Sequence, residues 1–305
     1  MSWEQTDTGV PRIPFGEWVD EGFDWVTNTL GGFFDTVADV TDTLTNGLAD
    51  LLNTPPALAL AVVLALLAWL VRDWKLALTS LLGLLFVAGV DQWENAMDTL
   101  ALVTVATLVA LLVAIPTGIL AAGSPRVSRV VRPVMDLMQT MPAFVWLVPV
   151  VSLFGIGVSG AVVATVIFAL PPGVRLTELG IRQVDPEVVE AGHAFGATPG
   201  EILRGIQLPL ALPTVMAGVN QVIMLALSMA VIAGLVGGGG LGGVVTSSIA
   251  SLNIGLGFEA GLSVVVLAVL LDRVTSAFSD NTPRPQRLGA SFLRRSPKTP
   301  EPAVA

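Results

Sequence analysis

Long apolar stretches separated by short polar segments run along most of this 305-residue chain. Because about 20 apolar residues of helix cross a bilayer core, such stretches predict transmembrane helices. There are seven candidates, with approximate bounds 55–71, 75–90, 98–121, 142–157, 158–174, 209–235 and 258–272. The first two are short, but Arg72, Asp73 and Lys75 between them favour a hairpin turn. The pattern predicts an all-α polytopic membrane protein of about seven transmembrane helices.

Basic residues indicate which way this helical array faces. If the N-terminus lies outside and seven helices follow, only Arg12 of the 15 Lys and Arg residues lies outside. The positive-inside rule therefore predicts an external N-terminus and a cytoplasmic C-terminus. The net charge of −9 does not oppose this orientation, because acidic residues have little weight in the rule.

The rest of the chain divides around these helices. Residues 1–54 are polar and acidic with apolar residues at roughly helical spacing. This pattern predicts either an amphipathic helix on the outer membrane surface or a poorly ordered extracytoplasmic tail. Residues 55–90 are expected to form two N-terminal transmembrane helices, and residues 91–279 a core with a cytoplasmic loop at 178–208. Residues 280–305 have the Pro, Arg and Ser content of a disordered cytoplasmic tail.

Composition narrows the chemistry available to the chain. It is 53% apolar and only 13% charged, which suits a bilayer better than water. There is no cysteine, and His193 is the single histidine, so a Cys/His metal cluster is excluded. The two lysines, Lys75 and Lys298, do not follow a glycine-rich loop, so the GxxxxGK[ST] motif for ATP phosphates is absent. We expect no catalytic residue, cofactor or metal in this chain, and no nucleic-acid partner.

The cytoplasmic loop carries clear helix start and stop signals. Asp185–Pro186 has an N-cap residue followed by proline at the first helical position. Gly196 suits the left-handed residue that ends a helix. Thr198 and Glu201 have the spacing of a capping box, and the second helix should end before Pro209. The signals predict two short, separately capped helices set at an angle.

Small residues on the first of these helices suggest a docking surface. Ala191, Gly192 and Ala194 would let another protein approach closely, and Glu190 would offer it a charge. On this interpretation Gly192→Trp would block docking and leave the protein folded. The alternative is an ordinary loop between two spans.

The sequence "EAGHAFGATPGEILRGIQLP", from Glu190 to Pro209, resembles the EAA motif of ABC importer permeases. Gly192 stands where that motif usually has a third alanine. The resemblance implies that this loop seats in an ATPase subunit. The residues it assigns to ATPase coupling are Glu190, Ala191, Gly192, His193, Ala194, Phe195, Gly196, Ile206, Leu208 and Pro209.

Longer phrases resemble the permease subunit of the glycine betaine/proline ABC importer, over about residues 90–280. They include "MDLMQTMPAFVWLVPVVSLFGIG" (135–157) and "AGVNQVIMLALSMAVIAGLVGGGGLG" (217–242). The resemblance implies a type I ABC importer permease of the inner membrane that works by alternating access. It further implies two permease copies surrounded by lipid, ATPase subunits that bind ATP and Mg²⁺, and an extracytoplasmic substrate-binding protein.

Alternatives remain open for substrate and mechanism. The solute could be glycine betaine, proline, choline or carnitine. An ion-coupled secondary carrier or a passive channel would need no ATPase. The spans contain few acidic residues, with Glu259 and Asp272 at the ends of the seventh, and this favours an ATPase partner.

Five residues are candidates for the translocation path. Asn220, Gln221 and Ser228 lie along the sixth span, where the alternative role is hydrogen bonding between helices. Phe144 and Trp146 offer π faces to a quaternary ammonium group, but aromatic residues there also suit interface anchoring. The glycine-rich run at 237–243 predicts either a re-entrant turn or gate, or a flexible loop.

Overall fold

The structure is a computed structural model that describes residues 14–71 and 73–279. Within this part of the chain every regular element is helical, which confirms the all-α prediction. The α-helices are α1 (Phe15–Asn53), α2 (Ala57–Val71), α3 (Trp74–Gly89), α4 (Trp93–Gly123), α5 (Pro125–Thr140), α6 (Ala143–Phe154), α7 (Val158–Arg182), α8 (Pro186–Ala194), α9 (Pro199–Ile202), α10 (Leu208–Ala233), α11 (Gly240–Ala250) and α12 (Ile254–Ser279). Arg12, Arg72 and the predicted tail at 280–305 lie outside the described residues.

Length and apolar composition make four helical stretches able to cross a membrane alone. These are α4, α7, the stretch Pro199–Val236 that contains α10, and α12. The bent pairs α1–α2 and α5–α6 raise the number to six if each pair is one span. The predicted count of about seven also includes α3, whose 16 residues reach only roughly 24 Å.

Helix α7 packs against both α4 and α10 and forms the centre of the molecule. Small residues let these helices approach closely. A Cβ atom added at Gly173 would come within 2.8 Å of Ala114 on α4 and 3.0 Å of Val222 on α10. Buried alanines dominate the same region: Ala106, Ala110, Ala161, Ala169, Ala226 and Ala230.

From Phe15 onward the acidic N-terminal region forms one long helix, which agrees with the helical one of the two alternatives and not with a poorly ordered tail. Helix α1 has 39 residues and meets α2 at a bend of 104°. Its second half packs on α4 and α7, where Thr41 and Thr45 are buried. Asn53 Nδ2 donates to Asp98 Oδ1 at 3.0 Å, and the Phe34 and Phe154 rings meet edge to face.

The predicted fourth span, 142–157, differs from the structure. Helix α6 has only 12 residues, and the preceding amphipathic helix α5 meets it at a bend of 103°. Gly155 and Gly157 end α6 with φ angles of 77° and 153°, which favour glycine. Helix α7 then extends to Arg182, eight residues beyond the predicted end of the fifth span at 174, and its Arg175 and Arg182 pair with Asp136 and Glu178.

The glycine-rich run forms a tight turn followed by a short helix, α11, which the sequence analysis did not predict. Gly237, Gly239 and Gly240 all have positive φ angles. The buried N–H of Leu241 donates to Thr99 Oγ1 at 2.8 Å, which anchors the start of α11 on α4. A Cβ atom at Gly240 would lie 2.5 Å from the same hydroxyl, so the position requires glycine.

Candidate coupling loop and translocation face

The coupling loop, residues 183–207, joins α7 to α10 through two helical segments. Its first helix starts as its sequence predicts: Asp185 accepts a hydrogen bond from the Glu187 N–H at 2.9 Å. The helix ends at Ala194, and Gly196 follows with φ of 80°. The N–H of Ala197 donates to Gly192 O at 3.1 Å and closes the turn.

The second segment starts with the predicted capping box. The Glu201 N–H donates to Thr198 Oγ1 at 3.4 Å, and the Thr198 N–H donates to Glu201 Oε2 at 2.7 Å. The hydrogen bond from that backbone N–H, supported by the Thr198 hydroxyl, holds the pKa of the exposed Glu201 carboxyl below its usual range. The helix does not stop before Pro209 as predicted. It continues through a π-helical segment, Leu203–Gln207, directly into α10.

Gly192 faces inward, which corrects the prediction that it forms part of an outer docking surface. It is buried, and a Cβ atom there would come within 2.8 Å of Ile206 Cδ1 and 3.3 Å of Ile202 Cγ1. The glycine therefore lets the two segments of the loop pack on each other. A tryptophan at this position would disturb the loop itself.

The outward surface of α8 is formed by its other small residues and by one aromatic ring. Phe195 is 92% exposed at the end of the helix. The remaining exposed members of the predicted set are Glu190, Ala191, His193, Ala194, Gly196 and Pro209. The exposed ring at the end of α8 is thus available for contact with a protein partner.

An apolar cluster fastens the coupling loop to the ends of three long helices. Ile181 of α7 and Val184 of the loop are buried with Ala211 and Val215 in the first turns of α10. Partly buried side chains complete the cluster: Ile119, Ala122, Val189, Leu203, Ile206 and Leu208. The cluster thus packs the loop, including α8 and the π-helical segment, against the ends of α4, α7 and α10.

The polar residues of α10 divide into two groups. Asn220 Nδ2 donates to Asp272 Oδ1 at 3.0 Å, and Thr275 Oγ1 donates to Asn220 Oδ1 at 2.6 Å. These bonds join α10 to α12, so Asn220 has the interhelical role left open as an alternative. Gln221 and Ser228 are instead exposed, two helical turns apart on one face.

The two aromatic candidates on α6 have their contacts with α5 and α1. Trp146 Nε1 donates to Met138 O at 3.2 Å, across the bend between α5 and α6. Phe144 lines a groove of about 930 Å³ between α6 and α1, which Phe23 and Val148 also line. Within residues 14–71 and 73–279 no group of three or more His, Asp or Glu residues could hold a metal ion.

Sequence reasoning missed one buried charge beside the coupling loop. Glu178 on α7 is buried and accepts from Ser128 and Arg132 of α5. The signal was a single acidic residue within the α7 phrase "ATVIFALPPGVRLTELGIRQV" (164–184). A charge at that position needs partners when it is buried.

Helices able to cross a membrane, with a separately capped loop between α7 and α10, are the architecture of a polytopic membrane protein. The chain matches the family described as binding-protein-dependent transport system inner membrane component over residues 114–282. It is 46% identical to the glycine betaine transport system permease protein OpuAB of Bacillus subtilis, over 87% of this chain and 94% of that protein. It is 47% identical to the glycine betaine/proline betaine transport system permease protein ProW of Escherichia coli, over 87% of this chain and 75% of that protein.

The fold has a counterpart among solved structures. An inward-facing form of the MetNI methionine ABC transporter has a TM-score of 0.54 and 25% identity, and the match covers 59% of this chain and 92% of that chain. The protein described here belongs to the family of binding-protein-dependent inner-membrane transport components. The type I ABC permease fold, the permease assignment and the membrane location expected from the sequence are confirmed.

Proposed function

We propose that this permease subunit imports glycine betaine or a related compatible solute, driven by ATP that a separate subunit hydrolyses. The observation that carries the proposal is the coupling loop, which presents the exposed Phe195 and is braced internally by Gly192 against Ile206. The named activities of the OpuAB and ProW relatives support the substrate class. ATP and Mg²⁺ belong to the ATPase partner, and this chain needs no cofactor of its own.

The proposed assembly contains two copies of this chain. One face of α10 is exposed in the monomer, and its members recur at helical spacing: Pro213, Ala217, Gln221 and Ser228. A polar side chain such as Gln221 is costly against lipid, so a second copy or a water-filled path covers this face. A path between the two α10 helices places Gln221 and Ser228 next to the passing solute.

The cycle then follows from the mechanical connections of the loop. The ATPase subunits bind ATP, approach each other and move the coupling loops. The apolar cluster beneath each loop passes this motion to α4, α7 and α10. The helices open outward to receive solute from the extracytoplasmic binding protein, and hydrolysis returns them to the inward-open state.

Uptake by a reconstituted complex tests the proposal. The permease is co-purified with its ATPase and the binding protein, placed in liposomes with ATP inside, and supplied with radiolabelled glycine betaine. We expect uptake that requires ATP, the ATPase and the binding protein together. Uptake without the ATPase under a sodium or proton gradient would instead support a secondary carrier, and conductance across a planar bilayer without ATP would support a channel.

Competition identifies the solute within this class. Unlabelled proline, choline and carnitine are added in turn to the same liposomes. We expect glycine betaine to compete most strongly. Stronger competition by choline or carnitine would assign the importer to that solute instead.

A further inference from the structure

A buried carboxylate lies where the coupling loop leaves α7. The Glu178 side chain is only 5% exposed. Its Oε1 atom accepts from Ser128 Oγ at 2.8 Å and Arg132 Nη2 at 2.9 Å, and lies 3.0 Å from Arg182 Nε. Since Ser128 and Arg132 belong to α5, one oxygen atom joins α5 to the cytoplasmic end of α7.

Arg182 extends the same cluster to a third helix. Its Nη2 atom donates to the carbonyl oxygen of Ala121, in the last turn of α4, at 2.9 Å. A cation is favourable there because the helix dipole is negative at its C-terminal end. Helix α8 begins at Pro186, one turn beyond Arg182. Three helices are therefore held together at the root of the coupling loop.

Helix α5 has few other polar connections to this end of the molecule. Its Met135 packs with Leu170 and Val174 of α7, and its Asp136 pairs with Arg175 at the surface. The apolar cluster beneath the coupling loop draws its residues from α4, α7, α8 and α10, but none from α5. Glu178 is thus the buried polar link between α5 and the loop.

Helix α5 also leads to α6, which contributes no residue to the apolar cluster beneath the coupling loop. Through the 103° bend it continues into α6, where Leu147 and Val150 pack with Ala164 of α7 and Met229 of α10. A displacement of α5 is therefore passed to α6 and to the helix that carries Gln221 and Ser228.

We propose that Glu178 is a positioning residue that makes α5 and α6 follow the coupling loop when the ATPase moves it. This inference rests on the proposed function. Ser128 and Arg132 of α5 donate to this carboxylate of α7 and fix the register of α5 on α7, because charge-assisted hydrogen bonds are strong and directional. A neutral amide keeps the shape of the side chain but loses the attraction to both arginines.

The test measures solute transported per ATP hydrolysed, in liposomes that contain the complete complex. We expect Glu178→Gln to lower this ratio about tenfold, the scale of a modest coupling free energy, while ATP hydrolysis continues. Glu178→Asp retains the charge and should restore part of the ratio. The matched control is Asp136→Asn, which breaks an exposed ion pair between the same two helices and should leave the ratio unchanged.

A distance measurement separates coupling from simple stability. Spin labels at Arg129→Cys on α5 and Glu187→Cys on α8 occupy two exposed positions. In the wild-type complex the distance between them should stay constant when a non-hydrolysable ATP analogue binds, because α5 follows the loop. In Glu178→Gln the distance should change. If that variant does not accumulate, Arg132→Gln removes one donor from the same oxygen at a largely exposed side chain and should lower the ratio as well.

The outcomes distinguish this inference from the proposed function. A wild-type complex without ATP-dependent uptake would overturn the proposed function itself. A wild-type complex that transports, together with a Glu178→Gln complex of equal coupling ratio and equal label distances, would overturn only the role of Glu178.

Discussion

Gly192 lies directly against Ile206: a Cβ atom added at the glycine would come within 2.8 Å of the isoleucine Cδ1. This contact joins α8 to the π-helical segment and holds the two halves of the coupling loop together. Gly192→Trp therefore breaks the packing of the loop, rather than blocking a partner on an intact loop. We expect this overpacking to cost about 1–3 kcal/mol and to lower the melting temperature of the purified permease.

Gly192→Ala is the matched control for this substitution. The atom in the way is the mobile end of the Ile206 side chain, and alanine favours a helix over glycine by about 1 kcal/mol. The variant should melt near the wild-type temperature and stimulate the ATPase normally. If the Gly192→Trp protein melts like the wild type and fails only in ATPase binding, Gly192 is part of the docking surface after all.

Phe195 should matter for assembly and not for folding. Its ring is 92% exposed, so Phe195→Ala removes almost no contact within the permease. If the ring is an anchor for the ATPase, its loss should weaken their association by about 2 kcal/mol or more, measured by titrating labelled ATPase onto permease in nanodiscs.

Phe258→Ala serves as the comparison for Phe195. It removes the same kind of side chain, also largely exposed, from α12. The Phe258 variant should bind the ATPase with unchanged affinity. If both variants bind the ATPase with the same affinity as the wild type, Phe195 is not part of the contact.

Asn220 should stabilise the contact between α10 and α12. Asn220→Ala leaves the Asp272 carboxylate without its amide donor and removes an acceptor for Thr275. We expect a loss of about 1–3 kcal/mol in the free energy of unfolding, followed by thermal or detergent denaturation. Gln221→Ala changes the adjacent, exposed residue and should leave stability unaltered. If the two variants denature alike, Asn220 does not hold the helices together.

Thr99 should be required for the turn that precedes α11. In Thr99→Val the buried Leu241 N–H loses its acceptor, which costs about 1–3 kcal/mol. The same substitution at Thr117, on the exposed side of α4, removes only a hydrogen bond to the preceding turn of its own helix. Thr117→Val should therefore unfold like the wild type, and an equal response of the two variants would argue against the anchoring role of Thr99.

Hydropathy located every long helix of the core but misjudged several ends. It averages the cost of moving residues out of water and takes no account of their partners. The charges of Arg175 and Arg182 therefore place the end of the fifth span at 174, although α7 continues to Arg182 and both arginines have acidic partners. Helix α5 escaped detection because it is amphipathic, and its three arginines lower the average hydropathy of the segment.

Local signals predicted the starts of the helices in the coupling loop and failed for their packing. The caps at Asp185 and Thr198 depend on neighbouring residues, so spacing alone reveals them. The burial of Gly192 depends on Ile202 and Ile206, 10 and 14 residues later, and no periodicity within α8 indicates it. Asn220 raises the same difficulty, because its partners lie more than 50 residues away.

Helix α1 has a consequence for the order in which the chain acquires its structure during synthesis. Phe34 rests on Phe154, about 120 residues later in the chain. At a synthesis rate of roughly 5–20 residues per second, Phe154 is added on the order of 6–24 s after Phe34. Helix α1 is therefore synthesised before the surface on which its Phe34 rests, and that part of its apolar stripe stays uncovered in the meantime.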